Sequence, residues 1–184
     1  MKALCGSIVC AIALIAGGCA TSTKTSADGT PSPKVVSKAS AAQQAVMLDQ
    51  LKALAGTWDQ IDEKGNLIPG SVFAVSSAGS VVREIMWGGQ QHEMTNVYHM
   101  DGDSIVMTHY CAAGNQPRLR CTTAKPGDLD FKLDEITNFT SPDQHFMGGL
   151  KLTMPDKNTL VATWTNFTKG TPPAPVAFTY KRKA

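Results

Sequence analysis

The chain has 184 residues, of which 42% are hydrophobic, and its formal net charge is +2. This near-neutral balance excludes the strongly basic surface with which nucleic-acid-binding proteins contact phosphates. The apolar content is sufficient for a packed core, and the length suits one domain with a short extension.

The first 18 residues have the pattern of a secretory signal peptide. Lys2 precedes an almost uninterrupted apolar run over residues 3–16. As a helix, this run rises about 21 Å, which is short of the roughly 30 Å hydrocarbon core of a bilayer. An export signal that is removed therefore fits the run better than a membrane-spanning helix.

Small residues precede Cys19 at the end of this run. The stretch Ala16-Gly17-Gly18-Cys19 resembles the bacterial lipobox, in which the chain is cut before the cysteine and the thiol carries a diacylglycerol. An ordinary secretory signal or a retained anchor are the alternatives. Ala20 stands where an aspartate often marks retention at the inner membrane. The resemblance therefore implies a lipid-anchored protein of the cell envelope, on the periplasmic face of the outer membrane.

A flexible tether is predicted over residues 19–38, because Thr21–Lys38 is rich in Ser, Thr and Pro and has no apolar period. The domain then runs over residues 39–184. It opens with a predicted helix over Ala39–Ala55, which Ser40 can cap. The apolar stripe of this helix consists of Met47, Leu48, Leu51 and Leu54.

From Thr57 onward the sequence consists of short β-branched and aromatic runs separated by turn residues. Strands joined by short turns, without a long crossover helix, form an antiparallel sandwich or a closed barrel. We predict a mainly β fold of about 8–10 antiparallel strands preceded by one helix. The predicted strands are Thr57–Asp62, Ser71–Val75, Val81–Trp87, His92–Met100, Ser104–Cys111, Arg118–Thr123, Leu129–Asp134, Phe146–Met154, Leu160–Thr165 and Val176–Arg182.

Asp101-Gly102 is the strongest hairpin signal in the chain. With these two residues as the turn, Met100 faces Asp103, and alternate residues of both strands share one face. This face carries the bulkier apolar groups, so we assign it to the interior. Its polar groups among adaptable methionines suit a ligand cavity. The predicted ligand-binding residues on it are His92, Met94, Asn96, Tyr98, Met107 and His109.

The strand before this hairpin has two candidate registers. A four-residue loop over Gly88–Gln91 points Arg83 and Trp87 inward, and both are therefore added to the predicted ligand-binding residues. A slip of one residue places Glu84 inside instead. An inward Arg83 favours anionic ligands such as fatty acids, whereas an inward Glu84 near His109 favours cations or acid–base chemistry.

The number of cysteines in the predicted mature chain predicts one disulfide. Cys5 and Cys10 leave with the signal peptide and Cys19 is acylated, so Cys111 and Cys121 remain as a pair in an oxidising compartment. Two free thiols or a metal site are the alternatives. No cofactor is predicted, although His92 and His109 with the two thiols could bind zinc, and His109 could ligate haem iron.

No catalytic motif is present. The segment 92–96 departs from the His-Glu-x-x-His pattern at Asn96, and the chain has neither Gly-x-Ser-x-Gly nor a Gly-rich phosphate loop. No catalytic or metal-binding residue is assigned. An enzyme that transfers protons through His92, His109 and Tyr98 remains an alternative, as does a non-catalytic envelope protein that presents its surface to partners.

Gly56-Thr57-Trp58, directly after the helix, resembles the entrance of lipocalin or calycin barrels. In that superfamily the tryptophan closes one end of the barrel beside a basic residue of the last strand, and Arg182 matches this role. The segment 92–118 is similar to a stretch of uncharacterised bacterial lipocalin-like proteins. The resemblance implies a single antiparallel lipocalin-like β-barrel and no established chemistry.

The combined prediction is an extracytoplasmic lipoprotein that is held on a membrane by its lipid anchor. We expect its barrel cavity to bind a small apolar or amphipathic molecule, with no nucleic acid among its partners.

Overall fold

The computed structural model describes residues 34–169 and 171–184, without the side chain of Pro172. The predicted signal peptide, the lipidation site Cys19 and most of the predicted tether lie outside the described residues. Residues 34–38, at the end of the predicted tether, are exposed and have no regular secondary structure. Residues 36–184 form one compact unit.

The predicted single helix is two short helices, α1 (Ala41–Val46) and α2 (Leu48–Lys52). Ser40 caps α1 as expected, since its hydroxyl accepts a hydrogen bond from the Gln43 amide at 3.1 Å. The break lies at Met47, whose backbone leaves the helical region (φ −112°, ψ −85°). Neither helix of the described chain is long and apolar enough to span a membrane.

The rest of the described chain is mostly strand, with a 3₁₀ turn over Ser77–Gly79. The strands are β1 (Gly56–Ile61), β2 (Leu67–Ser76), β3 (Val81–Met86), β4 (Met94–Asp101), β5 (Ser104–Tyr110), β6 (Gln116–Cys121), β7 (Ala124–Lys125), β8 (Asp128–Thr137), β9 (Phe146–Asp156), β10 (Thr159–Thr168) and β11 (Thr171–Arg182).

These strands form one closed antiparallel barrel, as predicted. The order around the sheet is β6-β5-β4-β3-β2-β1-β11-β10-β9-β8-β7, and a further pairing of β6 with β8 closes the ring. All strands except the two-residue β7 make up the ten-stranded wall. Closure removes the free sheet edges that a sandwich would leave.

The two helices cover the barrel end formed by the β4–β5, β7–β8 and β9–β10 turns. Gln43 donates to the carbonyl of Asp103, and the amide of Gly127 donates to the side chain of Gln50. The side chains of Met47, Leu48, Leu51 and Leu54 are buried in the same core as the inward residues of the strands. The predicted apolar stripe thus closes one end of the barrel.

The predicted pairing of Trp58 with Arg182 is confirmed. Trp58 is fully buried, and its Nε1 donates to the carbonyl of Leu54 at 2.8 Å. Arg182 lies opposite Trp58 across the β1–β11 ladder, with its guanidinium 4.2 Å from the ring centroid. Its two terminal nitrogens donate to the carbonyls of Ala53 and Ala55, so Arg182 links the last strand to the end of α2.

The predicted disulfide between Cys111 and Cys121 is wrong, because both thiols are free in the structure. Cys121 lies opposite Ile105 in the β5–β6 ladder, whereas Cys111 is six residues farther along the chain, just beyond the end of β5. Six residues of strand span about 20 Å. A disulfide needs Cα atoms within about 7 Å, so this register keeps the two thiols apart.

Candidate functional site: a polar cluster inside the barrel

A connected group of polar side chains lies in the middle of the barrel core. In the β3–β4 ladder Glu84 lies opposite Asn96, and in the β4–β5 ladder Asn96 lies opposite His109. Three adjacent strands therefore place these side chains next to one another on the inner face. With Ser71 of β2 and Tyr98 of β4 they form what we call the interior polar cluster, all of it buried.

Glu84 is held by three neutral donors. The hydroxyl of Ser71 donates to its Oε1 at 2.8 Å, and Asn96 Nδ2 and the Tyr98 hydroxyl both donate to Oε2 at 2.7 Å. No Lys or Arg is among the buried residues of the described chain. Burial raises the pKa of the Glu84 carboxyl, although the three hydrogen bonds oppose this effect. Burial, together with Glu84, also raises the pKa of Tyr98, which keeps that hydroxyl a donor.

The hydrogen bonds of the cluster fix the tautomer of His109. Asn96 donates through Nδ2 to Glu84, so its Oδ1 is the acceptor that faces His109 Nδ1 at 2.7 Å. The imidazole therefore carries its proton on Nδ1 and a lone pair on Nε2. His109 Nε2 is buried and has no hydrogen-bond partner. Burial lowers the pKa of His109 to about 4, so the ring is neutral at pH 7.

The surroundings of the cluster are closely packed. The rings of His109 and Trp164 lie 4.8 Å apart, centroid to centroid, and the Tyr98 and Phe131 rings make an edge contact at 5.8 Å. Met86 Sδ lies 3.4 Å from Asn96 Nδ2. A molecule that enters this core has to displace side chains, and methionines rearrange more readily than branched or aromatic residues.

Trp87 covers the core near the barrel end opposite the helices. Its indole nitrogen donates to the side chain of Gln60 at 2.9 Å, and its ring packs on Phe178 at 5.4 Å. The backbone of Trp87 is in the left-handed region, with φ at +51°. A bulky residue rarely adopts this conformation, and such backbone strain is concentrated at binding and switch regions.

Five of the eight predicted ligand-binding residues lie inside the barrel. The predicted hairpin register is shifted by two residues, because Met100 faces Ile105 rather than Asp103 and the turn residues are Gly102 and Asp103. A shift of two preserves the face on which each side chain lies, so the predicted inner face is correct. Trp87 is also buried, at the barrel end. The five interior residues are Met94, Asn96, Tyr98, Met107 and His109.

The placement of Arg83 inside the barrel is wrong. In β3, Glu84 is buried and Arg83 is exposed. The connection between β3 and β4 runs from Trp87 to Glu93 rather than over four residues, and Met86 pairs with Met94. This shifts the register by an odd number of residues relative to the expected pairing and exchanges the two faces.

His92 is also outside the barrel. It precedes β4 in the exposed connection and touches the Trp87 ring at a centroid distance of 5.3 Å. His92 and His109 are therefore not neighbours on the inner face. Within the described residues, no three His, Cys, Asp or Glu side chains are grouped to hold a metal ion. The alternative zinc site of two histidines and two thiols is not assembled.

Two surface grooves lie away from this cluster. One of about 510 Å³ runs between residues 36–39, the helices and β4, and includes His99 and Met100 in its wall. The other, of about 480 Å³, lies on the outer face of β8, β9 and β10. None of the eight predicted ligand-binding residues lines either groove.

Sequence reasoning missed Ser71 and Trp164 as partners of the site. Ser71 begins a predicted strand and alternates with Phe73 and Val75, which is a usable signal for its inward direction. The contact of Trp164 with His109 joins β10 to β5, which are not neighbours in the sheet. No local pattern predicts such a contact across the barrel.

We expect nitrogen-15 NMR at pH 7 to show His109 as a neutral imidazole protonated on Nδ1. The reason is that Asn96 Oδ1 accepts from Nδ1 and burial disfavours the charged ring. The ring should stay neutral until the pH approaches about 4. A His109→Gln variant assigns the signals. Protonation on Nε2, or a charged ring at pH 6, would contradict the geometry.

The comparisons with known proteins bear on the fold. No protein-family model matches the chain, and a search of curated proteins gives no match. Among solved structures, the chain is similar to Rv2717c from M. tuberculosis, with a TM-score of 0.52 and 15% sequence identity. The match covers 80% of this chain and 100% of that one. At this identity the likeness concerns the fold alone.

Proposed function

We propose that this protein binds a small apolar or amphipathic molecule inside its barrel. The observation that carries the proposal is the unpartnered Nε2 of His109 in the core. A buried polar atom without a partner destabilises the folded state, typically by about 1–3 kcal/mol, and native cores keep few such atoms. A bound molecule with a polar end next to Nε2 and an apolar body among the methionines would supply the missing hydrogen bond.

Access to the core is proposed at Trp87. This residue covers the core near the end opposite the helices, on a backbone in an unfavourable conformation, and the exposed connection Gly88–Glu93 follows it. Movement of the connection would relieve the strain and expose Met86 and Met94, which pair directly below it. The helical end is held by Arg182 and by the buried leucines of α2, which disfavours entry there.

The proposed setting is the cell envelope, with the protein anchored through Cys19. The support is the sequence pattern of residues 1–19 described above. An acyl anchor and a flexible tether would keep the barrel close to a source of apolar molecules. The ligand-binding proposal and the anchoring proposal are independent, and each can fail alone.

Native mass spectrometry of the full chain, expressed in bacteria and extracted in a mild detergent, tests both proposals. We expect the wild-type barrel to carry a co-purified small molecule, or to take one up from an added lipid extract, and His109→Phe to carry much less. His99→Phe is the matched control, because His99 lies on β4 with its side chain exposed. A wild-type chain that neither carries nor takes up a molecule would refute ligand binding.

The same spectra report the anchor. We expect the mature mass to correspond to a chain that begins at Cys19 and carries acyl groups, and Cys19→Ser to lack them. An unmodified chain with any other N-terminus would refute the anchoring proposal.

A further inference from the structure

From the chemistry of the barrel interior we infer that the ligand class is a neutral molecule whose polar end donates a hydrogen bond, such as an alcohol, and not a carboxylate. This inference rests on the proposed ligand binding and narrows it. It follows from which atoms of the interior polar cluster are already occupied.

The open position in the cluster is an acceptor. His109 Nδ1 is engaged with Asn96 Oδ1, and Asn96 Nδ2 is engaged with Glu84. The direction of these bonds leaves Nε2 of a neutral ring with only a lone pair to offer. A hydroxyl group can donate to that lone pair, whereas an ether or an ionised carboxylate has no proton to give.

The charges of the interior point the same way. Glu84 is the buried acid of the core, and the described residues contain no buried Lys or Arg that could neutralise a second carboxylate. Arg83, which would have suited an anion, points outward on β3. A fatty-acid carboxylate in this core would therefore be desolvated next to a carboxyl group and without a cation, which is strongly unfavourable.

A cationic head group is less suited than a hydroxyl. Both oxygens of Glu84 already accept hydrogen bonds from the side chains of Ser71, Asn96 and Tyr98. An ammonium group brings three N–H donors, whereas three of the roughly four lone-pair positions of Glu84 are already taken, so a buried ammonium would keep a donor without a partner. The lone pair of His109 Nε2 therefore needs a donor from the ligand, whereas the Tyr180 hydroxyl, another buried atom without a partner, can accept as well as donate.

Four probes that share an eight-carbon chain test the inference: octan-1-ol, methyl octyl ether, octanoate and octylamine. Binding to the full chain is measured by tryptophan fluorescence, at pH 7.5 and in one detergent for all four probes. Trp164 contacts His109, so we expect its emission to change when a probe binds beside His109. We expect octan-1-ol to bind about tenfold more tightly than methyl octyl ether, which corresponds to one hydrogen bond. Octanoate should bind more weakly than the ether.

Two variants locate the effect. His109→Phe should reduce the preference for octan-1-ol over methyl octyl ether to about onefold, whereas His99→Phe should keep it. Should His109→Phe fail to fold, the ranking of the four probes on the wild-type chain still decides the matter. Loss of binding in His99→Phe alone would place the ligand in the groove between the helices and β4, which His99 lines, and overturn the inference.

The outcomes separate this inference from the proposed function. Tightest binding of octanoate or octylamine, or equal binding of the alcohol and the ether, overturns the inference and leaves ligand binding standing. Absence of binding by all four probes and by the lipid extract overturns both.

Discussion

Replacing Trp58 by alanine is expected to lower the free energy of unfolding by about 3–5 kcal/mol, as for large aromatic residues removed from other cores. Trp58 is fully buried, and its indole nitrogen donates a hydrogen bond to the carbonyl of Leu54, just after α2. Its removal also takes away the ring on which the Arg182 guanidinium is stacked. Urea unfolding followed by circular dichroism measures the change.

Tyr110→Ala is the control for this prediction. Tyr110 is 50% exposed on β5, and exposed substitutions usually change stability by no more than about 0.5 kcal/mol. A loss below about 1 kcal/mol in Trp58→Ala would show that the contact between the helices and the barrel contributes little to the fold.

The second large effect concerns Glu84 and pH. Because burial raises the pKa of Glu84 in the folded chain above its ordinary value of 4.5, the folded state binds this proton more tightly than the unfolded state. The stabilisation that comes from the protonated carboxyl is thus fully present below pH 4.5 and is lost as the pH rises through the folded pKa. We expect the unfolding free energy of wild type minus that of Glu84→Gln to decrease with rising pH across this window, by up to about 1.4 kcal/mol per pH unit.

His109 acts in the opposite direction, since its lowered pKa makes the folded state less stable as the pH falls below 6.5. It is present in both proteins, so subtracting the two curves removes its contribution. A constant difference between wild type and Glu84→Gln would show that Glu84 keeps an ordinary pKa in the folded chain.

Much of the fold was predictable because alternation and turn residues are local signals. The ten predicted strands correspond to the ten strands of the wall, and Gly56-Thr57-Trp58 with Arg182 identified the closure of one end. The break at Met47 carries no Gly or Pro, so the sequence gives no local reason to expect it. It arises where the chain buries Met47 and Leu48, two consecutive side chains that one straight helix would turn to different directions.

The candidate site was predictable only in part. The inner face of the central hairpin is unchanged by an error of two residues in the pairing register, so Asn96, Tyr98 and His109 were placed correctly. The β3–β4 connection has no such tolerance, because an odd shift exchanges Arg83 for Glu84 and reverses the charge expected in the core. Whether His109 Nε2 is left without a partner depends on the directions of the hydrogen bonds that link Glu84, Asn96 and His109. No sequence pattern specifies those directions.

The pairing of β1 with β11 has a consequence for how this protein reaches its native state. Trp58 and Arg182 are neighbours in space but are separated by most of the domain along the chain. A topology rich in such distant pairings folds slowly, because the entropy of closing a long loop is lost before the contacts form. During synthesis, the sheet would stay open, with β1 and β10 as unpaired edges, until the last dozen residues are available. If the chain is exported as proposed above, the barrel would close only after its last strand has crossed the membrane.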